Sequence, residues 1–120
     1  MANRIRFVQH KGKEILVVDF SDASEREVER IARMVPDHVT SKPLRSVLLV
    51  ADFTGASFDR DSLASIKEAA VFDKPHVLKS AWVGAESLPH FFLNSVKSFS
   101  RREFPTFATQ ADAMDWLVED

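Results

Sequence analysis

Residues 4–9 alternate, with Ile5 and Phe7 set against Arg4 and Arg6, which predicts a half-buried strand. The polar stretch His10-Lys11-Gly12-Lys13 predicts a turn, and residues 14–20 predict a second, more apolar strand, so the two read as a hairpin. Ser24-Glu25-Arg26-Glu27 is a capping-box pattern, in which the Ser24 hydroxyl accepts from the Glu27 N–H and the Glu27 carboxylate reaches back. Val28, Ile31, Ala32 and Val35 follow at helical spacing, and Pro36 is expected to end or kink that helix. Residues 46–52 form a continuous apolar run rather than an alternating one, the pattern of a strand covered on both faces. A second helix is predicted over residues 60–72, carrying Leu63, Ile66 and Ala70 on one face and stopped by Pro75. Residues 76–83 predict the next strand, closed by Gly84, and Ser87 with Pro89 is expected to open a third helix. A short extended piece at residues 104–107 precedes a last helix opened by Thr109-x-x-Asp112, with Ala113, Trp116 and Leu117 facing inward.

The resulting order, β-β-α-β-α-β-α-β-α, implies an α/β fold: a single-domain mixed β-sheet, with an N-terminal hairpin followed by β-α crossovers. A length of 120 residues suits one domain with one core. The formal charge of −2 supplies no basic field for nucleic acid, so none is expected as a partner. With no cysteine there is no disulfide, thiolate chemistry or cysteine-ligated zinc. The first residues lack the apolar stretch of a secretory signal and no apolar run is long enough to cross a bilayer, so a cytoplasmic location is expected.

The run DFTGASFDRDS, residues 52–62, contains a glycine, hydroxyls and acids at a strand-to-helix junction. A phosphate loop needs several glycines and a lysine, whereas Gly55 stands alone and Asp52, Asp59 and Asp61 would repel the anion. A helix cap fits better, with Asp59 as N-cap, Ser62 at N3, and Phe58 packing on Leu63 as a hydrophobic staple. The strand SVLLVADF with its acidic turn, and the ending RREFPTFATQADAMDWL, resemble the SpoIIAA-like proteins of the STAS fold, which are related in shape to CRAL-TRIO lipid-transfer proteins. The resemblance covers nearly the whole chain and implies a small non-catalytic domain. In the anti-sigma-antagonist branch a serine at this helix start is phosphorylated in an Asp-Ser-(Ser/Ala)-Gly motif. Only Asp61-Ser62 matches here, and Leu63-Ala64 replaces the rest. A regulatory loop using Ser57 or Ser62 is therefore the alternative to a plain cap.

Catalytic candidates are few. His10, His38, His76 and His90 are scattered, and no pair has the spacing of a helical zinc site, so neither a metal nor a cofactor is expected. His10 is placed in a turn and His38 after a helix, both solvated. Asp19 and Asp52 both fall near strand ends, where a carboxylate pair could do acid–base work but more often caps turns. An enzyme is not expected.

The segment SLPHFFLNSVKSFSRREF is the most unusual. Phe92, Val96 and Phe99 fall at i, i+4, i+7 with Leu88 before them, and are assigned to the core. Phe91 and Leu93 widen the apolar arc, while Lys97, Arg101 and Arg102 cluster toward the helix C-terminus. One reading is a broad packed face with cations at the helix end. The functional reading is an element covering an apolar pocket or pressing on a membrane or a second subunit, as the lipid-transfer relatives imply. It assigns Trp82, Phe91, Phe92 and Phe99 to an apolar small molecule or lipid, and Lys97, Arg101 and Arg102 to a head group or peripheral membrane contact. Homodimerisation would cover the same face, and a signalling module with a protein partner at residues 52–62 is the alternative function.

Overall fold

In the computed structural model, which describes residues 3–119, the elements follow the expected order. Strands β1 (Ile5–His10) and β2 (Lys13–Asp19) pair antiparallel around the Lys11-Gly12 turn, where both residues take positive φ. Strands β3 (Val47–Asp52), β4 (Val77–Val83) and β5 (Thr106–Phe107) then add in parallel, giving a five-stranded mixed sheet in the order β1-β2-β3-β4-β5. Helices α1 (Glu25–Val39), α2 (Arg60–Asp73), α3 (Phe92–Ser100) and α4 (Gln110–Leu117) connect or follow the strands. The chain forms one α/β domain.

Alternation along the strands sorts the core into two layers. Leu16, Val18, Leu49, Ala51 and Trp82 pack under α1, α2 and α3, while Ile15, Val17, Leu48, Val50 and Ala81 pack under α4. Both faces of β3 are thus covered and all six of its residues are buried, which is why it reads as an uninterrupted apolar run.

Three local expectations are corrected. Helix α1 does not stop at Pro36 but runs on to Val39. Proline costs that turn one donor, yet its own carbonyl still accepts from the Thr40 N–H and hydroxyl, both at 2.9 Å, and Val35 and Val39 remain buried on the core side. Ser87 and Pro89 do not open α3. Ser87 ends a 3-10 turn (Ala85–Ser87), its hydroxyl accepts from the Gly55 N–H, and α3 begins at Phe92 without a side-chain cap. Phe99 is not in the core, because the buried stripe of α3 runs Phe92, Val96, Ser100, at strict i, i+4, i+8 spacing.

The pairing of β3 with β4 is irregular at its amino end. Val47 pairs with Val77 but Leu48 with Lys79, so Leu78 is an extra residue at the start of β4. A bulge of this kind turns its side chain out of register, and Leu78 is left 50% exposed.

Candidate functional site

The carboxyl ends of the parallel strands, where open α/β sheets usually bind ligands, are occupied by two copies of one local device. Asp19 and Asp52 sit opposite each other in register. The Asp19 carboxylate accepts from the Ser21 N–H at 2.8 Å and hydroxyl at 2.5 Å, and the Asp52 carboxylate accepts from the Thr54 N–H at 3.0 Å and hydroxyl at 2.7 Å. Asp-Phe-Ser and Asp-Phe-Thr are therefore twin turns in which each acid accepts from the N–H and the hydroxyl two residues on. The second Asp52 oxygen accepts from the Gln110 amide at 2.8 Å, tying the turn to α4. Phe20 and Phe53, the middle residues of the twins, stack at 4.9 Å and 8°. The turns abut so closely that a Cβ on Gly55 would collide with the Asp22 carboxylate, and one on Gly84 with Thr54. Both glycines also have positive φ, so only glycine suits either position.

The loop at residues 52–62 closes on a cap. Asp59 accepts from the Ser62 N–H at 2.8 Å, and Ser62 Oγ accepts from the Asp59 N–H at 2.9 Å. Hydrogen bonding from Ser62, its backbone N–H first and its side chain second, holds the Asp59 carboxyl below its ordinary range. Phe58 and Leu63 are half-buried against the core, as a staple requires. Ser62 is 0% exposed, so a kinase reaches its hydroxyl only if the first turn of α2 opens, whereas Ser57 lies on the surface. Ser62→Ala should lower stability by about 1 kcal/mol, the usual worth of such a bond, as read from the urea midpoint. A neutral effect would mean the cap is not formed.

The aromatic residues separate into two groups. Trp82 and Phe92 are 3% and 2% exposed. Trp82 stacks on Phe104 at 4.6 Å and meets the Phe53 edge at 4.8 Å. Phe91 and Phe99, by contrast, are 74% and 61% exposed on the outer side of α3. The cations divide as well. Arg101, in the left-handed region at φ 58, is exposed, and Lys97 lies 3.6 Å from Glu103. Arg102 turns inward, donating to the Ala70 carbonyl at 2.8 Å and to Ser80 Oγ, with its guanidinium 4.8 Å from the Phe104 ring centre. It pegs the end of α3 to α2 and β4 and is not presented to a head group.

Beside Arg102 lies a residue that sequence reasoning missed. Asp73 closes α2 fully buried, and its Oδ1 has no hydrogen-bond partner among the described residues. Burial pushes this carboxyl up to about 7, against the pull of Arg102 and then His76. Burial likewise lowers Arg102 to about 10, opposed by Asp73. Asp73 follows buried Ala70 by three positions, the spacing of an inward residue, but a helix-terminal acid before Lys74-Pro75 reads as a surface group. The two charges line a small crevice of about 50 Å³ between α1, α2 and the sheet, walled by Phe53, Ile66, Trp82 and Phe104. That volume is far below the roughly 300–1,000 Å³ of ligand sites and suits a bound water.

The histidines lie apart. His10 is not a solvated turn residue, because its Nε2 meets Asp115 at 2.8 Å and ties the hairpin to α4. The hydrogen bonds from His10 and Lys11 hold Asp115 below its ordinary range. His38 lies inside α1, its ring bonded to the Met34 carbonyl. His76 contacts the Lys42 carbonyl, and His90 is exposed before α3. Among the described residues no three His, Cys, Asp or Glu side chains gather to hold a metal, and no helix is long and apolar enough to cross a membrane. Compared with known proteins, the chain matches no family model, no curated protein and no solved structure.

Proposed function

We propose that this is a non-catalytic binding protein of SpoIIAA-like, STAS type, whose α3 surface engages lipid at a membrane face. The observation carrying this reading is the pair Phe91 and Phe99, two large rings left in water at the N-cap and in the last turn of α3. Eight residues apart, they lie two turns and about 80° from one another, on neighbouring sectors of the same outward side. Leu88, Phe92 and Val96 are buried, roughly 1.5–3 kcal/mol for each large side chain, so the exposed rings are not needed to dock the helix. Arg101 adds an exposed positive charge, the combination an anionic lipid surface attracts. The cavity beside Trp82, at about 50 Å³, is too small to carry a lipid behind α3.

Sedimentation with phosphatidylglycerol-containing vesicles tests it. The protein should bind, Phe91→Asp and Phe99→Asp should each weaken binding by about tenfold, and Arg101→Glu should remove about 1 kcal/mol and much of the salt dependence. Vesicle binding that ignores all three changes would overturn the reading. If the rings instead pair two copies, Phe99→Asp converts a dimer into a monomer without any effect of lipid. The signalling alternative draws support from one feature, the exposed Ser57. In that reading a partner responds to Ser57→Asp and is indifferent to Phe91→Asp.

A further inference from the structure

At the opposite end of the sheet from the twin aspartate turns lies the largest cavity described, a cleft of about 820 Å³ beneath the amino ends of β2, β3 and β4. Its size falls within the roughly 300–1,000 Å³ of small-molecule sites. The floor is apolar, made by Val47, Leu48 and Leu117, all buried, together with Phe7 and the bulged Leu78. The bulge is what supplies Leu78, since a regular register would leave no extra side chain at this lip.

The polar groups of the cleft are unequal. Lys42 is neutralised by Glu14 at 3.0 Å and lies over the Phe7 ring. Lys79 has no carboxylate in ion-pair range among the described residues. Its ammonium donates to the Trp116 carbonyl at 2.8 Å and the Glu119 carbonyl at 3.2 Å, and sits 4.2 Å from the Trp116 ring centre. An ammonium has three donors, so these two bonds leave one for a ligand. Leu78 and Lys79 also line a neighbouring depression of about 300 Å³, which adds Arg45, Lys74, the inward Arg102 and one acid, Glu103, paired with Lys97 at 3.6 Å; Arg45 and Lys74 are exposed and without an ion pair among the described residues. An apolar trough therefore runs up to a cluster of three cations, Arg45, Lys74 and Lys79.

We propose that this trough is a binding site for a free amphipathic carboxylate of medium chain length. The chain would lie on Leu48, Leu78 and Leu117, and the carboxylate would face Lys79, Arg45 and Lys74. The charges choose the head group and the floor chooses the tail. The site shares no residue with the α3 surface, so each proposal can fail without the other.

The test is titration of the protein with sodium decanoate below its micelle concentration, followed by calorimetry and by amide chemical shifts, with nonyltrimethylammonium as the charge-reversed probe of equal tail. Saturable binding of decanoate is expected, with shifts centred on Leu48, Leu78 and Lys79. The doubly reversed variant Arg45→Glu, Lys74→Glu, whose side chains are on the surface, should bind about tenfold more weakly. Lys79→Gln, which keeps a donor for the Trp116 carbonyl, should do the same, while Phe91→Asp should bind decanoate unchanged. The proposal is overturned if the cationic probe binds equally well, if the shifts centre on Phe91 and Phe99, or if the charge-reversed variant retains full affinity.

Discussion

Trp82→Ala is expected to cost about 3–5 kcal/mol of stability, the range for truncating a fully buried aromatic side chain. The indole is held on two sides, stacked on Phe104 at 28° between ring planes and met by the Phe53 edge at 65°, and Phe53 in turn stacks on Phe20. Removing it opens a void that joins the existing cavity of about 50 Å³, and its rigid neighbours cannot close such a void. Against a typical total of about 5–15 kcal/mol, the urea midpoint should fall steeply with little change in slope. Phe99→Ala, at the surface, should stay within about 0.5 kcal/mol. The contrast distinguishes packing from ligand contact. A Trp82→Ala protein that loses less than about 1 kcal/mol would place the indole outside the core, as a wall open to ligand.

The same contrast shows what the sequence made legible. Element order and mixed sheet followed from periodicity, because each strand and helix carries its own apolar pattern, and β3 announced its burial on two faces by having no polar position before Asp52. The cap at Asp59 was legible, with Ser62 at N3, but the complete burial of that serine was not. Phe99 misled because its i+7 spacing from Phe92 fits a helical face, while the smaller Ser100 at i+8 occupies the buried line and bonds back to the Val96 carbonyl at 2.6 Å. A large apolar residue one position off a buried stripe looks the same in sequence whether it is inside or outside. Arg102 misled for the opposite reason. Its charge suggested solvent, but the left-handed turn at Arg101 sends the chain back under the helix, and that reversal is visible only in three dimensions. The amino-end trough drew on residues from five separate segments and on a bulge, none of which has a local signature.

Asp73→Asn is expected to stabilise the protein by an amount that grows as pH rises from about 4 to about 7 and is complete above that. The carboxyl is 3% exposed, one oxygen has no hydrogen-bond partner among the described residues, and burial lifts it from its ordinary 3.8 to about 7. Between those two values the unfolded chain has released its proton while the native protein still holds it. Folding stability therefore falls as pH rises through this window, and above pH 7 the native state carries the whole cost of a buried charge. A displacement from 3.8 to about 7 corresponds to about 4 kcal/mol in order of magnitude. The pull of Arg102 and His76 is already contained in the value of about 7. The net gain at pH 8 should therefore be about 4 kcal/mol in order of magnitude, shrinking toward zero near pH 4, where the aspartic acid is itself neutral. Glu27, Asp59 and Asp115 have lowered values and act in the opposite sense at acid pH, but parent and variant share them, so they cancel in the difference. Urea titrations of both proteins at pH 4, 6 and 8 measure that difference directly. Curves that diverge with rising pH place an uncompensated carboxylate inside the fold; curves separated by a constant amount would mean that Asp73 ionises as freely as it does in water, its charge fully matched by Arg102.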